Sequence, residues 1–193
     1  PAAHQLVKVL GTEILGVLLE EAEQLHTPVE QVLGGRELRA HAACVLVHEL
    51  LEALQAVDLL ELERRNVTTL SGGERRRLGV ATLLTQDPEL MLLDEPTNHL
   101  DVHHQVHILR LLQQKTRDAG KAIVMVMHDL NLASRFCNRF LLLLGDGETA
   151  QGRADEVLNH TLLERLYDHP LQGFDSPQGR IWLPDIAGTR IRS

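Results

Sequence analysis

The sequence predicts an α/β fold with a parallel sheet and a small helical unit, and three features support this. Residues 90–93 and 123–127 are short apolar runs with the length of buried strands. Between them, four apolar residues recur at the spacing of one helical face: Val102, Val106, Leu109 and Leu112. A strand, a helix and a strand in this order join parallel neighbours of one sheet. Upstream, residues 40–57 have the pattern of a long amphipathic helix.

The first elements are predicted from local signals. Residues 14–19 are almost continuously apolar and are predicted to form a buried strand. At 27–30, Thr-Pro-Val-Glu has the form of a capping box with proline at the first helical position, and a Gly-Gly pair ends that short helix. With the helix at 40–57, this segment makes the helical unit. The apolar face of the longer helix consists of Val47, Leu50, Leu51, Leu54 and Val57.

The second half of the chain contains further predicted helices and strands, separated by turn residues. A helix is predicted after the glycine-rich turn at 71–73, with Leu78, Ala81 and Leu84 on its apolar face, and Asp87-Pro88 ends it. Residues 140–144 predict another strand and 145–147 a tight turn. Short helices are predicted at 154–158 and 162–167. The segment beyond Pro170 has no clear pattern.

Composition excludes several classes of function. The 193 residues are 44% hydrophobic, yet the longest apolar runs fall far short of the ~20 residues of a membrane-spanning helix. A formal net charge of -8 and 3% aromatic residues argue against a nucleic-acid surface, which needs clustered cations and stacking platforms. The basic triplet 75–77 is interpreted as the solvated start of a helix. Two cysteines and no secretory pattern at the start lead us to expect a cytosolic protein.

Two carboxylates follow directly on the apolar run at 90–93. Asp94 and Glu95 are therefore expected at the carboxyl end of a parallel strand, where ligands bind in open α/β sheets. Phosphate chemistry needs two such groups, because one carboxylate can hold Mg²⁺ while its neighbour polarises the attacking water. Side chains alternate along a strand, so the two groups are expected to point differently.

Two further sites have the chemistry of anion contacts. Ser71, Gly72 and Gly73 form a turn that opens into a helix, where backbone N–H groups can approach an anion and the serine hydroxyl adds a donor. His128 follows the strand at 123–127 and is expected at the same end of the sheet as the carboxylates. We therefore interpret His128 as a phosphate contact rather than as a structural histidine.

Four motifs, in this order along the chain, resemble those of the ATPases of the ABC transporter family. The resemblance extends over about residues 14–167. Leu70-Ser71-Gly72-Gly73-Glu74 resembles the signature loop and Leu92-Leu93-Asp94-Glu95-Pro96-Thr97 the Walker B motif. Asn98-His99-Leu100-Asp101 resembles the D-loop and Met127-His128-Asp129 the switch histidine. The names signature loop (70–74) and D-loop (98–101) are used below for these segments.

The resemblance implies a role for each residue. Asp94 would serve Mg²⁺, Glu95 would be the general base, and His128 would contact the γ-phosphate of ATP. Ser71, Gly72, Gly73 and Glu74 of the signature loop would bind the ATP held by a second cassette, and Asp101 would communicate across that head-to-tail dimer. The expected ligands are therefore ATP and Mg²⁺.

The resemblance also implies an architecture and partners. The fold would be a P-loop NTPase-type (RecA-like) parallel sheet core with an α-helical subdomain, incomplete at the N-terminus. Within one partial domain, 1–193, residues 1–25 would be the core up to the Q-loop region, 26–72 the helical subdomain ending in the signature loop, and 73–193 the remaining core. The chain would work beneath transmembrane permease subunits at the inner face of the cell membrane, and indirectly with a substrate-binding protein. Segments 27–36, 101–105 and 128–133 are similar to importers of the iron–siderophore, haem and cobalamin group.

Two departures from the family pattern stand out. No G-x-x-x-x-G-K-[ST] sequence occurs in the 193 residues, and the one Gly-Lys pair, Gly120-Lys121, is followed by Ala122. In the family that loop lies upstream of the segment resembling 14–19, so truncation is favoured over divergence, and the chain alone is not expected to hydrolyse ATP. Glu20 stands where the Q-loop glutamine is expected, which alters the charge at that position.

Other functions stay open at this point. The D-loop sequence also resembles soluble cassettes that act on ribosomes or DNA, although those usually carry arginine where this chain has Leu130. A remnant that supplies only its signature loop is a third alternative, and the missing P-loop favours it. His99, His103 and His107 recur every fourth residue, and we favour surface or dimer-facing positions for them over a metal-binding face.

Overall fold

A computed structural model describes residues 36–144 and 147–186, except for the side chains of 36–44 and 46. The strand predicted at 14–19, the capping-box helix at 27–34, Glu20 and most of the turn at 145–147 lie outside the described residues. The chain divides into two compact units, with the boundary between Val126 and Met127.

The first unit contains three long helices within its described part. The helix predicted at 40–57 is confirmed and begins at Arg36, and the helix after the glycine-rich turn is confirmed as well. Asp87 ends that second helix in a left-handed conformation, with φ of 42°, and donates its backbone N–H to Leu83. The helices are α1 (Arg36–Ala56), α2 (Gly72–Gln86) and α3 (Val102–Asp118), with 3-10 turns at Leu60–Leu62 and Val67–Thr69.

The predicted parallel pair of strands is confirmed. Strands β1 (Leu90–Asp94) and β2 (Ala122–Val126) flank α3 in sequence and pair in parallel, with Leu90 opposite Ala122. Met91 is 1% exposed on one face of β1, whereas Leu92 is 68% exposed on the other. Parallel sheets are normally covered on both faces. The exposed apolar face of β1 is therefore the face on which folds of this class pack a further layer.

The predicted apolar face of α3 is partly wrong. Leu109 and Leu112 are buried, but Val102 is 73% exposed. Val102 lies in the first turn, and the helix reaches the core only at Ile108, more than one turn later. The buried cluster of this unit comprises Leu50, Ala53, Leu54, Val57, Leu59, Leu70, Leu78, Val80, Ala81, Leu84, Met91, Leu93, Ile108 and Leu112.

The second unit packs short helices against two hairpins. The predicted strand at 140–144 and both predicted short helices are confirmed, whereas the partner strand of the first hairpin and the whole C-terminal hairpin are not anticipated from the sequence. Gly179 has φ of 111° in the turn of that second hairpin. Its elements are α4 (Leu130–Phe136), β3 (Phe140–Leu143), β4 (Thr149–Gly152), α5 (Ala154–Val157), α6 (His160–Tyr167), β5 (Leu171–Ser176) and β6 (Gly179–Pro184).

Both hairpins are antiparallel, and they contribute to one buried cluster. That cluster comprises Leu142, Leu144, Val157, Leu158, Leu163 and Trp182. Within the part of the chain that the structure describes, we find no helix with the length and apolar character needed to cross a membrane.

Candidate functional site

The signature loop begins α2 with a reciprocal pair of hydrogen bonds. The hydroxyl oxygen of Ser71 accepts the backbone N–H of Glu74 at 3.2 Å, and the Glu74 carboxylate accepts the backbone N–H of Ser71 at 2.7 Å. Hydrogen bonds that Ser71 donates to the Glu74 carboxylate, first from its backbone N–H and then from its hydroxyl, hold the pKa of the Glu74 carboxyl below its usual range. The predicted nucleotide-binding residue Glu74 is thus engaged, together with Ser71, in capping its own helix.

The two glycines of the turn have different surroundings. A Cβ atom at Gly73 would lie 3.1 Å from the carbonyl oxygen of His99 and 3.3 Å from a Leu100 methyl group. A Cβ atom at Gly72 would meet nothing within 4 Å. Gly73 therefore allows the signature loop and the D-loop to pack closely, whereas Gly72 leaves the space in front of the helix N-terminus open.

This difference predicts opposite effects of one substitution. We expect Gly73→Ala to lower the free energy of unfolding by about 1–3 kcal/mol, the typical cost of overpacking, because the backbone of the D-loop must move. Gly72→Ala, the matched control, should be neutral or stabilise by about 0.4–1 kcal/mol, since alanine restricts the unfolded chain. Urea denaturation followed by circular dichroism measures both. Equal midpoints for the two variants would contradict the close packing at Gly73.

The paired carboxylates lie at the end of β1, as predicted. Asp94 is the last residue of the strand, and its side chain is exposed. Glu95 follows in a left-handed conformation with φ of 48°, and its backbone N–H donates to Val126 at 3.1 Å. The Asn98 amide donates to the Glu95 carboxylate at 2.5 Å. Glu95 therefore lies beyond the end of β1, and its positive φ, a costly conformation typical of functional sites, takes it out of the alternation of the strand.

The D-loop ends in an aspartate held by the first turn of α3. Asp101 accepts the backbone N–H of His104 at 2.9 Å, and the His104 ring nitrogen Nδ1 lies 2.9 Å from the second carboxylate oxygen. These bonds, the backbone one foremost, hold the pKa of the Asp101 carboxyl below its usual range. His99 in the same loop has φ of 63°. The loop thus presents an ionised carboxylate in a fixed place.

A cleft of about 530 Å³ lies between the signature loop and the D-loop. It brings together five of the predicted site residues, which are Ser71, Gly72, Gly73, Glu74 and Asp101. Its remaining lining residues are Arg77, His99, Leu100 and His104. Asp94 and Glu95 are not among the lining residues and lie at the end of β1 instead.

Two residues near the cleft have contacts that the sequence did not indicate. The interpretation of 75–77 as solvated holds for exposed Arg75, but Arg77 is half-buried and donates to the backbone oxygens of Val57 and Asp58, at 2.8 Å each. His104 is the other missed residue. Its place in the first turn after an N-cap aspartate was a usable signal, because a side chain at that spacing can reach the cap.

The repeated histidines are divided among different contacts. His99 lines the cleft, and the His107 ring nitrogen Nε2 lies 2.7 Å from the backbone oxygen of Ala56. The rings of His103 and His107 stack with centroids 6.4 Å apart. Over residues 36–144 and 147–186, no group of three or more His, Cys, Asp or Glu side chains is arranged to hold a metal ion. The three histidines thus make separate contacts, and their surface or dimer-facing role stays a prediction.

His128 belongs to the second unit, two residues after the end of β2. It is exposed and immediately precedes Asp129, the N-cap of α4. The Asp129 carboxylate accepts the backbone N–H of Leu132 at 2.9 Å. The direction of the chain at His128 therefore depends on where α4 begins.

Comparison with known proteins places the sequence in a family. The ABC transporter family matches residues 13–98. The chain is 39% identical over 140 residues to the ferric enterobactin transport ATP-binding protein FepC of Escherichia coli, which covers 72% of this chain and 49% of that protein. The chain belongs to the ABC transporter family. The hemin import ATP-binding protein HmuV of Nocardia farcinica is 42% identical over 125 residues, covering 65% of this ABC chain and 43% of that protein. The chain spans about half the length of the curated relatives it matches.

Solved structures confirm the predicted fold class. A metal-chelate type ABC transporter in an inward-facing conformation superposes with a TM-score of 0.70 at 23% identity, covering 89% of this chain and 66% of that chain. A dimeric ATP-binding cassette in a post-hydrolysis state, bound to ADP and phosphate, gives a TM-score of 0.52 at 28% identity. That match covers 69% of this ABC chain and 56% of the other. The α/β fold of P-loop NTPase type is therefore the fold of this ABC chain.

Proposed function

We propose that this chain is the ATP-binding and ATP-hydrolysing part of an ABC importer whose cargo is a metal chelate of the iron–siderophore type. The observation that carries the proposal is the cleft between the signature loop and the D-loop, formed by the close approach of Gly73 to His99. The names of the relatives, which transport ferric enterobactin and import hemin, support the choice of cargo.

The signature loop has the donors that an anion requires. The first backbone N–H groups of a helix lack partners within the helix and favour negative charge. Gly72 leaves them accessible, because a Cβ atom there would meet nothing within 4 Å, and the Ser71 hydroxyl lies at the same helix N-terminus. In our proposal these groups bind the γ-phosphate of an ATP held by a second cassette. The dimeric cassette that binds ADP and phosphate supports this arrangement.

The two carboxylates would divide the work of hydrolysis. Asp94 is an exposed carboxylate at a strand end, the type of oxygen ligand that Mg²⁺ accepts beside its own waters, so the residue fits that ion. When bound, Mg²⁺ neutralises charge on the phosphates. Glu95, oriented by its positive φ and by the Asn98 amide, would accept a proton from the attacking water.

The remaining predicted residues would report and transmit the nucleotide state. The ionised Asp101 carboxylate, fixed by His104, would communicate across the dimer of cassettes. His128 would contact the γ-phosphate. The protein would act at the cytoplasmic face of the cell membrane, where permease subunits bind it, and a substrate-binding protein would deliver the cargo to the permease.

The proposal is tested by comparing two polypeptides. The first is the 193-residue chain, and the second, called the extended chain, carries at its N-terminus a segment of a complete cassette that supplies a G-x-x-x-x-G-K-[ST] loop. We expect the 193-residue chain to bind ATP weakly, because that anion cradle does not occur in it. The extended chain should bind and hydrolyse ATP with Mg²⁺.

Titration with labelled ATP measures binding, and a phosphate-release assay measures hydrolysis. Low-micromolar binding by the 193-residue chain that survives scrambling of the signature loop would contradict the proposed mode of binding. An extended chain that folds and binds ATP without hydrolysing it would contradict the assignment of the catalytic groups.

A second candidate is a module that supplies its signature loop to another cassette without hydrolysing ATP itself. The cleft that the signature loop and the D-loop of this chain form favours this alternative. Mixing the 193-residue chain with a complete cassette whose own signature serine is replaced by arginine distinguishes the candidates. Stimulated hydrolysis in the mixture, without hydrolysis by the extended chain, would establish the binding module.

A further inference from the structure

The helix that follows His128 contacts the C-terminal hairpin through one side-chain amide. Asn131, in the first turn of α4, donates from Nδ2 to the backbone oxygen of Trp182 at 3.1 Å. Its Oδ1 accepts the backbone N–H of the same residue at 2.9 Å. The N–H and C=O of one strand residue point to the same side, so both groups of Trp182 face away from β5. Asn131 therefore bonds to the outer edge of β6 in the way a neighbouring strand would.

Trp182, which Asn131 contacts, is itself held in place by its neighbours. The indole is 3% exposed, and the ring of His160 meets it edge-on with centroids 5.1 Å apart. The Arg180 guanidinium lies 5.4 Å from the ring centroid. Across the hairpin, a Cβ atom at Gly173 would lie 3.0 Å from the indole. The tryptophan is thus enclosed on several sides, and its backbone holds Asn131 in one place.

The contact lies in the first turn of α4. This helix spans only Leu130–Phe136, about two turns, and a helix of that length is not stable without tertiary packing. Its N-cap is Asp129, and His128 is the residue immediately before that cap. A shift of the first turn of α4 must therefore move the backbone at His128.

We propose that Asn131 is a positioning residue for His128, acting through its paired hydrogen bonds to the backbone of Trp182. The inference rests on the proposed function, in which His128 contacts the γ-phosphate of ATP. The C-terminal hairpin then sets the direction from which the histidine approaches the nucleotide. A purely structural role for Asn131 would stabilise the hairpin and leave His128 unaffected.

The 193-residue chain itself allows the test, without nucleotide. Trp182 is its single tryptophan, so fluorescence reports the hairpin directly. The imidazole C–H resonance of His128, assigned by its loss in His128→Gln, reports the histidine. We expect Asn131→Ala to shift the tryptophan emission to the red and to shift or split the His128 resonance. Asn131→Asp keeps the side-chain volume but sets a carboxylate oxygen against the Trp182 carbonyl, and it should change both signals if Asn131→Ala does not fold.

Ser176→Ala is the matched control. Its hydroxyl donates to Gly179 in the turn of the same hairpin and does not touch Asn131, so both signals should stay as in the parent. Changes at Trp182 with an unchanged His128 resonance in the Asn131 variants would overturn the proposal, as would an equal response to Ser176→Ala. No ATP is added in this experiment, so its result does not depend on whether the extended chain hydrolyses ATP. Likewise, the hydrolysis assay of the extended chain does not depend on the role of Asn131.

Discussion

In the extended chain, Glu95→Gln is expected to lower the rate of ATP hydrolysis by about 10²–10⁴-fold, the range typical of losing a general base. Glutamine keeps the shape and the acceptor for the Asn98 amide, but it cannot take a proton from water. ATP binding should be largely retained, because the phosphate cradle and the signature loop are unchanged. Phosphate release under saturating ATP gives the rate, and equilibrium titration gives the affinity.

Asp94→Asn is the matched control, since it makes the same chemical change one residue earlier. It should weaken Mg²⁺-dependent nucleotide binding, because an amide is a poorer ligand for a hard cation than a carboxylate. The two variants therefore separate affinity from turnover. Hydrolysis by Glu95→Gln at the parental rate would remove Glu95 from the mechanism. Identical effects of both variants on binding and rate would contradict the division of roles.

Periodicity was enough to predict the existence of the three long helices in the described part of the first unit. The helical faces that contain Leu50, Leu54 and Leu84 are buried as predicted, because a 3.6-residue repeat leaves few other ways to cover apolar surface. The parallel pairing of β1 and β2 followed from the strand, helix and strand order alone. The carboxylates at the end of β1 were predictable for the same reason.

Contacts between distant residues could not be read from the sequence. The sequence suggested that the glycines let an anion approach, and at Gly73 the structure adds the carbonyl oxygen of His99 as a neighbour. Arg77 donates to Val57 and Asp58, twenty and nineteen residues earlier, so neither local charge nor helical spacing indicated its partners. Such pairs depend on how the loops pack, which no local pattern encodes.

The C-terminal hairpin shows the same limit for a whole element. Strand β5 contains Gly173 and Asp175, residue types that are depleted in strands, and its alternation is weak. The burial of Trp182 and its bonds to Asn131, both long-range, stabilise the hairpin. A hairpin that depends on such long-range contacts has little periodic signal to detect.

The second large effect concerns association between cassettes. In our proposal the groups at Ser71, Gly72 and Gly73 bind the γ-phosphate of an ATP that belongs to another chain, so ATP itself joins the two. The extended chain carrying Glu95→Gln should therefore change from monomer to dimer when ATP and Mg²⁺ are added, because blocked hydrolysis preserves the bridging phosphates. ADP, which lacks the γ-phosphate, should leave it monomeric. Light scattering after size-exclusion chromatography measures the change in mass.

Adding Ser71→Arg to that variant should prevent the ATP-dependent dimer. The arginine side chain would occupy the space in front of the helix N-terminus, where a Cβ atom at Gly72 meets nothing within 4 Å. It would also remove the hydroxyl cap of α2, a loss of about 1 kcal/mol that urea denaturation can check separately. The nucleotide affinity of each monomer should stay close to that of the parent, because this loop acts on the partner's ATP.

The control is Ser176→Arg, the same change at a hairpin turn in the second unit, and this variant should dimerise normally. A Glu95→Gln chain that stays monomeric in saturating ATP, or a Ser71→Arg chain that dimerises as well as Ser176→Arg, would show that the signature loop does not act on a second cassette.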